Sequence, residues 1–171
     1  MEATQVTTQM SICSGPLPDL EVPMINTMVT CLGSDHRKFP IAQLAYAATR
    51  LASDPGSVTA AQQVLQAWDE IRHELWSHLQ IEEELVFSWG EAHHAISSTL
   101  LDTAKNERQE MRKLLAALHE FSPDVDRKAQ IAGDVRVFAE TLLALARMLD
   151  SHVERYDGEV LPSILRALFH K

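Results

Sequence analysis

Two stretches of this chain place a histidine ahead of acidic residues and then an apolar run: His78-Leu79-Gln80-Ile81-Glu82-Glu83-Glu84-Leu85-Val86-Phe87 and His152-Val153-Glu154-Arg155-Tyr156-Asp157-Gly158-Glu159-Val160-Leu161-Pro162. A third histidine, His36, stands in Ser34-Asp35-His36-Arg37. Neutral imidazoles and carboxylates converging inside a helical protein are the material of a metal site, and together they suit Fe, Mn or Zn. His78 and Glu82 are four residues apart, about 40° around a helix, so both project from one face, one turn apart. They can reach one ion or two adjacent ions. His152 and Asp157 are five apart, about 140° around a regular helix. They share a target only where the helix widens, as in a π-helical turn, and Gly158 favours such a distortion. Tyr156 takes the better-placed four-residue step, as a hydrogen-bonding neighbour or as a ligand.

Each of these residues also has an ordinary reading. A lone histidine on a helix face is usually a partly buried core residue, and one His-x-x-x-Glu step is usually a surface pair. Recurrence of the pattern on two helices, with a third histidine on another, raises the metal reading to equal weight.

The elements that must position these groups are helices. From Val22 onward the apolar spacing is helical, and no alternating strand pattern competes with it. Residues 1–22, rich in Thr, Ser, Gly and Pro, read as an extended or poorly ordered arm, and 23–171 as one domain. Helix one starts near Pro23, with kinks at Gly33 and Pro40, and Leu32, His36, Phe39, Leu44 and Ala47 on its buried face. Asp54-Pro55-Gly56-Ser57 is a turn, and Ser57 or Thr59 caps helix two, which runs to about Trp89 before Gly90. Its stripe is Leu65, Trp68, Ile71, Leu75, His78, Glu82 and Leu85. Helix three spans about Glu91 to Phe121, with Leu101, Ala104, Arg108, Met111, Leu115 and Leu118 on one side. Ser122-Pro123-Asp124 reads as the next turn. Helix four runs to Tyr156 with Val137, Thr141, Leu142, Ala144, Leu145, Met148 and His152 inward. A short helix, Ser163 to Phe169, closes the chain. Four long helices with short connections predict an all-α, antiparallel up-down-up-down bundle with a short C-terminal helix. The histidines and carboxylates are expected to point into one end of its core.

A chain of 171 residues is long enough to bury a core without disulfides. A formal charge of −9 argues against nucleic acid and anionic membrane surfaces as partners. Cys13 and Cys31 form no metal-type pair and fit a reducing compartment, and no signal peptide or membrane span is apparent. The expected location is the cytoplasm.

These motifs resemble the hemerythrin-like, HHE cation-binding family, a four-helix bundle with a non-haem di-iron centre. The likeness covers about residues 24–165. Asp35-His36 matches its helix-one histidine, and His78, Glu82 and the run that follows match helix two. His152, Asp157 and Val160-Leu161-Pro162 match helix four. The resemblance implies metal ligands at His36, His78, Glu82, His152 and Asp157, with Arg108 and Tyr156 as supporting neighbours. It implies non-haem iron, with Mn or Zn as other candidates.

One departure stands out. The family's third helix usually supplies one or two histidines, and here Ala104 and Arg108 hold those places. Neither can ligate a metal. His93 and His94 are adjacent, lie at the bundle end and do not replace them. One ion is therefore expected more than two, with the Arg108 guanidinium paired to Glu82 or Asp157 in place of the second. Glu107 or Glu110 restores a second metal only if helix three rotates. The resemblance implies binding or sensing of O2, NO or iron. An iron-dependent oxidoreductase acting on peroxide or Fe(II) and a metal-free helical interaction protein are the alternatives. The partners expected are a small diatomic ligand or a metal ion.

Overall fold

The computed structural model describes the backbone of residues 22–128 and 132–169, and the side chains of 23–120 and 134–169. The N-terminal arm expected over residues 1–22 lies outside the described residues, Val22 apart. The elements are α1 (Val22–His36), α2 (Ile41–Ser53), α3 (Val58–Ile81), a π-helical turn (Glu82–Phe87), α4 (Ser88–Ala92), α5 (Ser98–Lys128), α6 (Ala132–Arg155), a second π-helical turn (Tyr156–Val160) and α7 (Leu161–Phe169). There is no strand among the described residues. The architecture is the expected all-α bundle. Its four members are α1–α2, α3–α4, α5 and α6–α7, with α2 packed on α3 and α6, and α5 on α6 and α3.

Local chemistry explains most boundaries. Ser57 caps α3, its side chain accepting a hydrogen bond from Ala60 N at 3.3 Å. Pro40 separates α1 from α2, where the fixed proline φ and missing N–H prevent a continuous ladder. Gly33, where a kink was expected, lies inside α1 and does not end it. Three other boundaries differ from the sequence reading. The helix runs on through Gly90 to Ala92, and α5 opens only at Ser98. Gly90 is needed for proximity: a Cβ there would stand 2.5 Å from Ile96 Cδ1, which folds back over it. The turn expected at Ser122-Pro123-Asp124 is helical instead, because α5 continues to Lys128. A proline inside a helix removes one hydrogen bond without necessarily ending the helix.

The apolar side chains form two clusters. One holds Leu44, Trp68, Ile71, Leu75, Leu79, Met111, Leu118, Phe138, Leu142 and Leu149. The other holds Ile25, Val29, Leu32, Val86, Phe87, Leu101, Ala104, Tyr156, Val160 and Ile164. Along every member of the bundle the buried polar residues fall between the two: His36 on α1, His78 and Glu82 on α3 and its π turn, Arg108 on α5 and His152 on α6. The polar groups thus make a layer across the bundle, not a cap on one end of the core. Burying such a layer is costly unless its members pair with one another or with an ion.

Candidate metal centre

Four of the expected ligands meet in this layer. One ligand atom each from His36, His78, Glu82 and His152 lies within 4.8 Å of every other, and all four residues are buried. The Nε2 atoms of His36 and His78 are 2.8 Å apart, so one carries the hydrogen and the other accepts it. His152 Nε2 is 3.3 Å from Glu82 Oε2. Donors about 2.1 Å from one ion stand at most ~4.2 Å apart, so this group is within a few tenths of an ångström of closing on a single ion. Several of its atoms are buried without a hydrogen-bond partner: Glu82 Oε1, His152 Nε2, and the Nδ1 atoms of His36 and His78. A buried carboxylate oxygen left in this state is costly, and a cation beside it removes the cost.

Asp157 does not join the four. It lies in the second π-helical turn, is exposed, and its Oδ1 lies 3.6 Å from His36 Nδ1, the ring nitrogen that is not paired with His78. It stands behind a ligand, where a carboxylate favours an Nδ1–H tautomer and leaves Nε2 free to bind. Asp157 was expected among the ligands beside His152; the geometry places His152 in the cluster and Asp157 outside it. The π turn expected near Asp157 is present, but it points the carboxylate at the back of His36. Tyr156 is buried, with its ring 4.7 Å from that of His36 and its hydroxyl unpartnered. Burial pushes its phenol well above the ordinary range, so the group is neutral.

Arg108 is where the missing histidine led the sequence reading to expect it. Its Nη2 donates to Glu82 Oε2 at 2.7 Å, both side chains being fully enclosed. The guanidinium stacks 4.2 Å above the Phe87 ring, and Nη1 is 3.8 Å from Glu83 Oε2. Glu83 in turn pairs with Arg112 at 2.6 Å. The two oxygens of Glu82 are thereby distinguished: Oε2 faces Arg108 and His152, and Oε1 is buried without a hydrogen-bond partner. One oxygen is left without a partner, and the other is paired with a cation that the protein supplies. Ala104 is buried in the apolar cluster and offers no ligand. Glu107 pairs with Arg155 instead of reaching the centre. Glu110 pairs with Lys113 on the surface. His93 stacks on Trp89 and His94 sits in the turn at φ 52°, both outside the cluster.

Sequence reasoning missed the widening at Glu82–Phe87. It buries Val86 and Phe87 where a regular ladder predicted Leu85, and so places the Phe87 ring under Arg108. The run of three glutamates gives no sign of it, and no other local signal does.

The electrostatics suit a cation. Burial holds the His78 imidazolium down at about 4, against attraction from Glu82, and lowers His36 in the same way. Burial alone would raise Glu82; His152, Arg108 and His78 outweigh it and hold the carboxyl at about 2. At neutral pH His36 and His78 therefore offer lone pairs and Glu82 a charge.

The same shifts predict acid sensitivity of the metal-free protein. His78 binds a proton more weakly folded than unfolded, so its contribution is full above about 6.5 and is lost as pH falls toward about 4. Between pH 7 and pH 5 the loss from His78 alone is about 2 kcal/mol. Urea unfolding at the two pH values, with His78→Asn showing a shallower dependence, measures it. Equal stability at pH 7 and pH 5 would contradict the buried neutral imidazole.

A family model described as the hemerythrin HHE cation binding domain matches residues 29–164. No curated protein and no solved structure matches the chain.

Proposed function

Because the chain belongs to the hemerythrin HHE cation-binding domain family, we propose that it binds a single non-haem iron ion through His36, His78, Glu82 and His152, with a small diatomic molecule, O2 or NO, as its ligand. The observation that carries this reading is the divided carboxylate of Glu82. Oε1 is buried without a hydrogen-bond partner in a residue clustered with three imidazoles, while Arg108 and His152 lie against Oε2. Three imidazoles and one carboxylate oxygen leave positions open on a metal that prefers six ligands, and bound iron supplies reversible binding of a diatomic there.

The protein's own groups perform the rest. Arg108 neutralises the carboxylate face that a second cation would otherwise hold, and Phe87 and Glu83 fix the guanidinium in place. Asp157 orients the His36 ring from behind. Val86, Phe87, Ala104, Val160 and Leu79 are buried apolar residues on the elements that carry the ligands, and a groove lined by Leu32, Phe39, Ile81 and His78 reaches the layer from outside. No helix among the described residues is long and apolar enough to cross a membrane, and a cytoplasmic location belongs to the same proposal.

A second reading rests on Tyr156. A neutral buried phenol beside His36, with no hydrogen-bond partner, is placed to give a proton or an electron to a substrate such as peroxide. Ultraviolet–visible spectra of the iron-loaded protein, titrated anaerobically with NO and separately with peroxide, distinguish the two. Reversible NO-dependent bands without peroxide turnover support the diatomic reading. Turnover that Tyr156→Phe abolishes supports the other. Protein that takes up no iron is a helical protein without the site, and both readings fail.

A further inference from the structure

A groove between α3 and α5, separate from the polar layer, has its own chemistry. It encloses about 380 Å³ and is lined by Trp68, Arg72, His73, Trp76, Leu115 and His119, with Ala116 at its edge. That volume lies within the range of small-molecule sites, about 300–1,000 Å³. None of the four clustered ligands lines it.

Three features define what fits. The first is aromatic surface. Trp76 is 51% exposed, an unusual position for so large an apolar side chain, and it flanks the wall formed by Trp68. Indole faces present a flat, polarisable surface on which another ring stacks. The second is a set of donors without acceptors. Trp68 is 2% exposed, yet its indole N–H is buried with no hydrogen-bond partner. Arg72 Nε is likewise unsatisfied; Asp69 Oδ1 lies 3.0 Å away but is not aligned to accept. A buried donor in this state costs free energy that an incoming acceptor recovers. The third is the sign of the lining. In a chain of formal charge −9, the groove carries an arginine and two histidines and no carboxylate.

We infer that this groove is a binding site for a small aromatic anion, a flat ring bearing a carboxylate or a comparable acidic group. The ring stacks on the exposed Trp76 indole, and the anionic oxygens accept from the Trp68 N–H and the Arg72 guanidinium, with His73 and His119 also lining the groove. Nothing in this inference depends on the metal centre, so it stands or falls separately from the iron reading.

The test is calorimetric titration of the full-length protein with naphthalene-2-carboxylate, set beside the charge-reversed 2-naphthylmethylammonium. The expected result is saturable binding of the carboxylate at one site, with a dissociation constant on the order of 0.1–1 mM. Arg72→Gln and Trp68→Phe each weaken it on the order of tenfold, by removing the guanidinium and the indole N–H. Arg72 is half-buried and outside the apolar core cluster, so its variant tests the idea even where Trp68→Phe perturbs the core. Absence of saturable binding overturns the inference. So does a carboxylate that binds Arg72→Gln as tightly as wild type, or an ammonium probe that binds equally well, since either shows an apolar groove indifferent to charge.

Discussion

Arg108→Ala lowers the stability of the metal-free protein by about 3–5 kcal/mol in urea unfolding. The magnitude follows from what the substitution leaves behind. Glu82 is wholly buried, and its Oε2 loses the 2.7 Å guanidinium contact. The remaining neighbours, His36, His78 and His152, are imidazoles, two of them held neutral by burial. The carboxylate then stays charged and unpaired or takes up a proton, and either costs several kcal/mol. An exposed pair such as Arg136–Glu140 gives the contrast, with a loss of about 1 kcal/mol or less. Adding a divalent metal restores part of the lost stability in the variant, because the ion supplies the missing charge. A variant as stable as wild type would show that the guanidinium does not replace a metal.

His78→Ala abolishes tight metal binding. Substituting a residue that only supports a ligand already weakens metal affinity about 10–100-fold, and losing a ligand exceeds that. His78 is one of the four clustered residues, with its Nε2 2.8 Å from His36 Nε2 and its place on the helix one turn from Glu82. Its removal leaves three of the four donors. His73→Ala, five residues away and exposed, is the control and retains metal. Calorimetric titration with Co(II), which binds the same donor types, measures both. Equal affinity in wild type and His78→Ala would place the metal elsewhere.

Much of this was legible in the sequence because the relevant spacings are regular. The stripe Leu101, Ala104, Arg108, Met111, Leu115 and Leu118 is buried at every position, and an arginine on such a stripe announced its partner across the bundle. His78 with Glu82 follows directly from the four-residue step. The errors are of two kinds. Within regular helix the stripe was set one residue off, with Val64 buried and not Leu65 in α3, and Phe138 buried while Val137 is exposed in α6; in the π turn after α3, where the period changes, Val86 is buried and not Leu85. Asp157 was misplaced for the same reason: a π turn was foreseen, but spacing does not say which way the displaced carboxylate faces. The groove at Trp68 and Trp76 was not foreseen at all. It lies between α3 and α5, a property of packing between helices and not of either helix alone.

The central claim is that one cation, not two, occupies the polar layer, with Arg108 in place of the other. The direct measurement is iron content per chain after anaerobic loading and dialysis, made on wild type and on Arg108→His. The account predicts one ion retained per wild-type chain, and more than one only when the histidine is restored. Two ions retained by the wild type, or none, would contradict it.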